Sequence, residues 1–225
     1  MKIVIGLVGV KTSGKSTTAN IIKKNFQGDV IEAALADKLK NVCSEIFNVS
    51  RENFDRQDLK EIPFNSNKTL TKETISLILT GFGIKETEDL INFYNKNNII
   101  NKQLSSPRQI AQIVGTEVLR AAGDEDIHCK NVTLGDSVTI ISDVRFPNEF
   151  NYFSTLPNTY FLPFYIQRTE AEEKITPDSH PSETSVFIFR DKCIKINNNN
   201  GLESLEDQVR SHLLRTDLKL KGYNL

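Results

Sequence analysis

The first apolar segment of the chain is the uninterrupted run Ile3-Val4-Ile5-Gly6-Leu7-Val8, which is typical of a strand buried on both faces. After a glycine-containing stretch, apolar and polar positions follow each other at helical spacing from Thr17 to Lys24. Further runs predict strands over 136–142, 159–167 and 192–197, and helices over 37–47, 71–80, 107–121 and 202–214. Strands that alternate with helices predict an α/β fold with three α/β/α layers around a central parallel sheet.

The stretch from Ser50 to Ser106 departs from this regular pattern. It is polar and rich in Asn and Lys, and its periodicity is weak. We therefore expect a single domain over 1–225, with a variable insert around 50–106 that holds short helices and mobile loops outside the main sheet. The run Asn197 to Asn200 before Gly201 is typical of a structural turn.

The composition narrows the functional classes. With 38% hydrophobic and 25% charged residues, the 225-residue chain is expected to be soluble and globular. Its 28 basic and 29 acidic side chains give a formal net charge of -1, which argues against broad binding to nucleic acid. No membrane span and no signal peptide are expected. Cys43, Cys129 and Cys193 lie far apart, which indicates neither a zinc site nor a disulfide scaffold and suits a reducing cytoplasm.

The stretch between the first strand and the first helix carries the strongest chemical signal. Residues Gly9 to Ser16 read G-V-K-T-S-G-K-S, a full match to the phosphate-binding P-loop pattern, in the strand–turn–helix context that the pattern requires. Backbone N–H groups of such a loop bind anions, and the helix N-terminus adds about half a positive charge. Lys15 is expected to reach the β- and γ-phosphates of a nucleotide, and the Ser16 hydroxyl to bind Mg²⁺.

A second candidate group follows the predicted strand over 136–142. Asp143 is expected at the carboxyl end of that strand, beside the P-loop, where a carboxylate can hold Mg²⁺. Arg145, two residues later, suits a bidentate grip on a phosphate. Two plainer interpretations remain: Asp143 as a helix cap or turn residue, and Arg145 as one half of an ion pair.

The predicted helix over 107–121 has a clear start. Ser106 suits the N-cap and Pro107 the first helical position. Arg108 there opposes the helix dipole and calls for a compensating anion, which a substrate phosphate would supply. The plainer interpretation is a solvated arginine at the surface. Gly115-Thr116 lies within the helical pattern, where close approach of a ligand or a helix would justify the glycine.

Taken together, these strings resemble the bacteriophage deoxynucleoside monophosphate kinases of the P-loop kinase superfamily. The strings that carry the resemblance are G-V-K-T-S-G-K-S-T-T-A from Gly9, A-D-K-L-K from Ala36, Asp55-Arg56, P-R-Q-I-A-Q-I-V-G-T-E from Pro107, S-D-V-R-F-P-N-E from Ser142, Arg168 and His180-x-Ser182-Glu183. The match is weak from Phe64 to Leu104. The resemblance implies a P-loop kinase-like fold with helical monophosphate-binding segments and a lid around 168–185. It implies transfer of a phosphoryl group from ATP, with Mg²⁺, to a deoxynucleoside 5′-monophosphate.

The resemblance also implies roles for individual residues. It assigns the ATP phosphates to Gly14, Lys15, Ser16 and Thr17, and catalysis to Lys15, Arg145 and Arg168. It assigns the monophosphate pocket to Lys11, Leu39, Lys40, Arg56, Arg108, Gly115, Thr116, His128, Asp143, Arg145 and Glu149. Where such chains often carry Trp, this chain has His128 and contains no Trp, so the base contact there stays open. From the residues alone, His128 and His212 are more typical of ordinary structural histidines. A homodimer is suggested only by analogy.

Three other functions compete with this one. Another small-molecule kinase, such as a dephospho-coenzyme A kinase, shares the P-loop. A GTPase-like switch or NTP-dependent binding module would be expected to carry an N-K-x-D string, but Asn101-Lys102 is followed by Gln103-Leu104. A nucleic-acid motor requires a basic surface, which the charge balance does not support.

The P-loop assignment predicts that Lys15→Ala loses most of its turnover while the fold survives. Lys15 is expected to be a partly exposed cation beside an anion-binding loop. Removing a positioned donor of this kind costs roughly 3–4 kcal/mol of transition-state stabilisation. The measurement is kcat, with circular dichroism as the control for folding. A folded variant with near-native kcat would contradict the assignment.

Overall fold

Five parallel strands form the main sheet, in the spatial order β2-β5-β1-β6-β7. They are β1 (Lys2–Val8), β2 (Val30–Ala33), β5 (Val138–Val144), β6 (Thr159–Gln167) and β7 (Ile194–Asn197). The computed structural model describes residues 2–26 and 28–220, the last four of these by their backbone alone. The chain divides into two compact units, residues 1–35 with 133–225, and residues 36–132. The sheet belongs to the first unit.

Helices cover both faces of this sheet. On one face, α1 (Lys15–Asn25) and α11 (Gly201–Leu220) pack their apolar stripes on alternate strand residues. The buried residues of that face are Ile5, Leu7, Ala19, Ile21, Ile22, Val138, Ile140, Leu162, Phe164, Ile166, Ile196, Leu205, Val209 and Leu213. Burial of each large side chain is worth about 1.5–3 kcal/mol. The predicted layered α/β fold around a parallel sheet is confirmed.

The other face is covered by aromatic side chains from α8 (Pro147–Thr155) and from the 3₁₀ segment Ser185–Lys192. The Phe150 ring lies 5.3 Å from the ring of Phe161 on β6 and 5.2 Å from that of Phe189. Two short helices, α9 (Thr169–Glu172) and α10 (Pro181–Thr184), lie between β6 and β7. They fall within the segment that we expected to be a lid.

The second unit is mainly helical. It contains α2 (Asp37–Phe47), α3 (Arg51–Asp55), α4 (Lys72–Gly81), α5 (Glu88–Lys96), α6 (Pro107–Ile113) and α7 (Ile127–Lys130). A small antiparallel hairpin pairs β3 (Lys68–Leu70) with β4 (Lys102–Leu104). These elements enclose a core of their own, to which Leu79 and Leu104 contribute fully buried side chains. The predicted variable insert around 50–106 lies inside this unit.

Side-chain caps explain where several of these helices begin. The hydroxyls of Thr71, Thr87 and Ser106 accept hydrogen bonds from the first turns of α4, α5 and α6. Pro107 occupies the first turn of α6, as predicted. Each such cap is worth about 1 kcal/mol. Polar capping residues therefore set these boundaries even where the apolar periodicity is weak.

The predicted helix over 107–121 is present, but the type of helix changes along it. α6 ends at Ile113, a π-helical turn covers Val114–Leu119, and a 3₁₀ turn covers Arg120–Ala122. A Cβ atom on Gly115 would lie only 3.0 Å from Cδ2 of Leu39, so the glycine allows that leucine to pack against the π turn. π turns within helices occur frequently at functional sites. The close approach expected at Gly115 therefore comes, at least in part, from a side chain of the same unit.

Most other predicted bounds agree closely with the structure. α2 and β6 have the predicted bounds, and β5 lies two residues later than predicted.

Within the described residues, no helix combines the length and the apolar character that a membrane span requires.

Candidate active site

The P-loop has the backbone geometry that an anion site needs. It connects the end of β1 to α1, and both of its glycines have positive φ, 148° at Gly9 and 107° at Gly14. Thr12 has a φ of 64°, which is uncommon for a residue with a Cβ atom. Gly14 is the N-cap residue of α1, so the positive end of the helix dipole is directed at the loop. The glycine-containing turn between strand and helix that the motif predicts is therefore present.

Lys15 lies on this loop, as the motif predicts. Its Nζ donates to the carbonyl oxygens of Gly9 and Val10, each at 2.7 Å. These acceptors hold the ammonium group over the loop. Ser16 and Thr17 are exposed on the first turn of α1, where their hydroxyls are accessible to a ligand.

The asparagine run after β7 supports the P-loop. Nδ2 of Asn198 donates to the Ser13 carbonyl at 2.8 Å, and a Cβ atom on Gly14 would lie 2.2 Å from the same nitrogen. The neighbouring Asn199 accepts the backbone N–H of Thr169 at 2.9 Å. The sequence pattern predicts only a turn for this run, and its contact with the P-loop is not among the predictions. The available signal was its position at the carboxyl end of a parallel strand, where ligand sites form.

Two predicted arginines lie beside the P-loop. Arg145, directly after β5, pairs with Glu183 at 2.5 Å, so the ion-pair interpretation of Arg145 describes one of its contacts. Arg168, directly after β6, donates to the Thr12 carbonyl at 3.4 Å and pairs with Glu170 at 3.3 Å. Both guanidinium groups therefore contact the loop or a side chain that binds it. Glu183 itself was not predicted as a site residue.

Two further carboxylates of the predicted pocket accept backbone N–H groups. Asp143, within the end of β5, accepts the N–H of Leu35 at 2.7 Å. Glu149 is buried and accepts the N–H groups of Arg145 and Phe146, at 2.8 and 3.1 Å. Glu149 thereby fixes the turn from which the Arg145 side chain extends. Contacts with a monophosphate stay a prediction for both carboxylates.

In the second unit, three residues of the predicted pocket come together around the π turn. Leu39 packs against Gly115, and Nε2 of His128 lies 3.4 Å from the Gly115 carbonyl. His128 is buried with its ring edge-on to Phe82, and its Nδ1 has no hydrogen-bond partner among the described atoms. Burial, followed by the charge of Arg120, lowers the pKa of His128 to about 4. Thr116 is exposed on the same turn.

The predicted cations of the second unit are paired with carboxylates. Lys40 binds Asp55 at 3.0 Å, which joins two of the strings that carry the resemblance. Arg56 binds both Glu52 and Asp58 on an exposed surface. Arg108 binds Glu61 at 3.1 Å, so this structure supplies the compensating anion that its place at a helix start requires. Phosphate binding by Arg56 and Arg108 stays a prediction. A phosphate would have to compete with these carboxylates.

The contact between Asn198 and the P-loop predicts a difference between two substitutions. Asn198→Ala removes one hydrogen bond, worth about 1 kcal/mol, so ATP affinity should fall about fivefold. Asn198→Asp should weaken ATP binding more, because it turns a carboxylate toward the Ser13 carbonyl at the anion site. Asn199→Asp is the control. It adds the same charge at the adjacent position and keeps a side-chain oxygen that can accept the backbone N–H of Thr169. Calorimetric Kd values for ATP that rise equally in both aspartate variants would contradict the contact.

The buried His128 predicts a pH dependence of stability. Its folded pKa of about 4 lies below the ordinary value of 6.5, so the unfolded chain binds more protons between these values. Stability from this group is full above pH 6.5 and is lost as the pH falls toward 4. At about 1.4 kcal/mol per pK unit, the loss amounts to about 3 kcal/mol.

Denaturant unfolding at several pH values tests this dependence. His128→Phe should flatten the fall of the unfolding free energy between pH 6.5 and 4. His212→Gln, at a half-buried position on α11, should change the slope less. Equal slopes in the wild type and in His128→Phe would show that His128 is not the group responsible.

The sequence of the whole chain was compared with those of known proteins. No family model matches the chain. A protein of Acanthamoeba polyphaga mimivirus, provisionally named a deoxynucleotide monophosphate kinase, is 26% identical over 93% of this chain and 95% of its own. The deoxynucleoside-5′-monophosphate kinase of Escherichia phage T5 is also 26% identical, with the same coverage of each chain.

Two solved structures align along most of the chain with low similarity. A gluconokinase from Sinorhizobium meliloti 1021 has 13% identity and a TM-score of 0.37, covering 99% of this chain and 97% of its own. A dephospho-CoA kinase from Campylobacter jejuni has 12% identity and a TM-score of 0.36, covering 94% and 96%. The two sequence relatives confirm the resemblance that the motifs carry: over nearly its whole length, this chain is similar to the deoxynucleoside monophosphate kinases.

Proposed function

We propose that this protein transfers the γ-phosphoryl group of ATP to a deoxynucleoside 5′-monophosphate, giving the diphosphate and ADP. The observation that carries the proposal is the P-loop at the N-terminus of α1, with Lys15 on it and with Arg145 and Arg168 beside it. The relatives' names support a nucleotide kinase and direct the choice of acceptor. Supply of DNA precursors, in a host cytoplasm if the chain is of phage origin, is the setting that we infer.

The donor phosphates would bind the P-loop. Transfer of a phosphoryl group needs little covalent help from a protein; it needs alignment of the two phosphates and cations around the charge that spreads over the transferred group. Lys15 would exchange its carbonyl acceptors on Gly9 and Val10 for phosphate oxygens. Arg145 and Arg168, at the ends of the two strands that flank β1, would bind oxygens of the transferred group. No general base is required for this chemistry.

The acceptor phosphate would be bound by arginines. Lys11 would face the acceptor, while Arg56, Arg108 and Arg145 would bind its oxygens, because guanidinium groups match phosphate geometry with paired donors. The base or sugar would lie against the wall that Leu39, Lys40, Gly115, Thr116 and His128 provide, with Asp143 and Glu149 in the same pocket.

Mg²⁺ is the metal that this chemistry implies. The hydroxyl of Ser16 and the carboxylate of Asp143 are oxygen donors, the type that Mg²⁺ prefers, and we propose that they hold it. A bound Mg²⁺ would neutralise negative charge on the donor phosphates. One Asp143 oxygen already accepts the Leu35 N–H, which fixes the orientation of the carboxylate at the end of β5.

A coupled assay of ADP release tests the proposal. The acceptors are dAMP, dGMP, dCMP, dTMP, their ribonucleotide counterparts and dephospho-coenzyme A, each with ATP and Mg²⁺ and again after chelation of the metal. We expect acceptor-stimulated, metal-dependent ADP release with at least one deoxynucleotide. Release with dephospho-coenzyme A alone would replace the proposed acceptor. If no acceptor on the panel stimulates ADP release, the proposal that this protein is a kinase of small molecules is contradicted.

The ion pair of Arg108 predicts two opposite effects on the monophosphate KM. Arg108→Ala should raise that KM by roughly tenfold to a hundredfold, since a charged hydrogen bond is worth about 1.5–3 kcal/mol, while the KM for ATP changes little. Arg108→Lys should rescue poorly, because lysine lacks the planar fork. Glu61→Gln should lower the monophosphate KM by less than about fivefold, because it removes the competing partner of an exposed pair.

The control for Arg108→Ala is Lys130→Ala, which removes another cation of the second unit that is paired with an acidic side chain. The double variant Arg108→Ala with Arg145→Ala should lose less than the sum of the single losses if both arginines bind one phosphate. An unchanged monophosphate KM and kcat in Arg108→Ala would exclude Arg108 from the site.

A further inference from the structure

A buried carboxylate joins the P-loop to the arginine beside it. Glu183 lies on α10 and is 5% exposed. One carboxylate oxygen accepts the backbone N–H of Lys11, in the P-loop, at 2.7 Å, and the other accepts Nη1 of Arg145 at 2.5 Å. Each oxygen thus has a donor from a different part of the candidate site.

Burying a carboxylate to hold the four-residue helix α10 in place carries a large desolvation free energy. Moving a carboxylate out of water costs several kcal/mol, and an apolar side chain of similar size often stabilises a fold as well or better. The 3₁₀ segment Ser185–Lys192, which follows α10 directly, already buries the apolar side chains of Val186 and Phe189. Packing of apolar side chains therefore does not explain why a charged residue is buried at position 183.

The charges around Glu183 compensate for its burial. Burial by itself raises the pKa of this carboxyl, but the charge and hydrogen bond of Arg145, the N–H of Lys11 and the charge of Lys15 outweigh it and lower the pKa below the ordinary value. Glu183 is thus held as a carboxylate among the cations that we assign to phosphate binding. In return it restricts Arg145, whose guanidinium also lies 3.4 Å from the carbonyl and hydroxyl oxygens of Ser182.

We propose that Glu183 is a positioning residue: its carboxylate holds the Arg145 guanidinium against the P-loop in the orientation that phosphoryl transfer uses. The proposal rests on the proposed function. A guanidinium has several donor nitrogens in a rigid fork, so one contact with Glu183 leaves other edges of the fork for phosphate oxygens. Holding the fork in advance removes the cost of ordering a long side chain when the substrate binds.

The test is a double-mutant cycle between Glu183→Gln and Arg145→Ala, with Glu172→Gln as the matched control. The glutamine keeps the size of the side chain but has one acceptor oxygen, so it can serve Lys11 or Arg145 and not both. Glu172 lies on α9 and accepts the Tyr165 hydroxyl at 2.7 Å. Its substitution removes a carboxylate of the same unit that forms no hydrogen bond or ion pair with the P-loop among the described residues.

We expect Glu183→Gln to lower kcat/KM for the monophosphate by about tenfold or more, while the KM for ATP stays within about threefold. Glu172→Gln should retain wild-type kinetics. The loss in the double variant should be no larger than that in Arg145→Ala alone, because Glu183 has nothing left to position. A purely structural role would instead add its loss to that of Arg145→Ala.

Three results would overturn the inference. They are wild-type kcat/KM in Glu183→Gln, additive losses in the double variant, and a gain in ATP affinity in Glu183→Gln, which would make Glu183 an anion that blocks the loop. If Glu183→Gln does not fold, Glu183→Asp replaces it in the cycle, with the same expectation of non-additive loss. Inactivity of the wild type and of Glu172→Gln with every acceptor would instead reject the proposed function.

Discussion

The arrangement of the candidate active site depends on the parallel pairing of β1 with both of its neighbours. In this register Val8, the last residue of β1, lies level with Val144 of β5 and with Tyr165 of β6. The chain leaves all three strands at the same edge of the sheet. The P-loop, Arg145 and Arg168 therefore start from neighbouring points, although more than 100 residues separate the first from the others in sequence. Hydrogen bonding between strands, rather than any direct contact between these side chains, brings them to one edge.

Electrostatic compensation is the second requirement at this edge. A loop that concentrates N–H groups, a helix dipole and several cations favours anions in any form, including carboxylates of the protein itself. Glu183 and Glu149 are buried there, and each oxygen of Glu183 and one of Glu149 accepts hydrogen bonds from the P-loop or from the segment around Arg145. These carboxylates orient the backbone and guanidinium groups around them. The first unit thus contains an ordered set of charges before any phosphate is considered.

The second unit contains the polar segment around 50–106, which is ordered although it has little apolar periodicity. Helix caps from Thr71, Thr87 and Ser106 define its helices, and a separate buried core holds them together. Lys40, Arg56 and Arg108 form ion pairs with carboxylates, so in this structure these three cations are compensated locally. The π turn around Gly115 and the buried ring of His128 give one wall of the unit an irregular shape, which straight helices would not provide.

The sequence by itself determined the local features. Continuous apolar runs indicated the central strands, the P-loop pattern located the anion site, and Ser106-Pro107 marked the start of α6, because each depends on neighbouring residues alone. Only the tertiary structure decided the long-range partners. Asn198 on the Ser13 carbonyl, Glu183 between Lys11 and Arg145, and Glu61 on Arg108 join residues that are 185, 172 and 47 positions apart. No periodicity records which carboxylate will compensate which cation, because that choice depends on where the sheet and the two cores place the side chains.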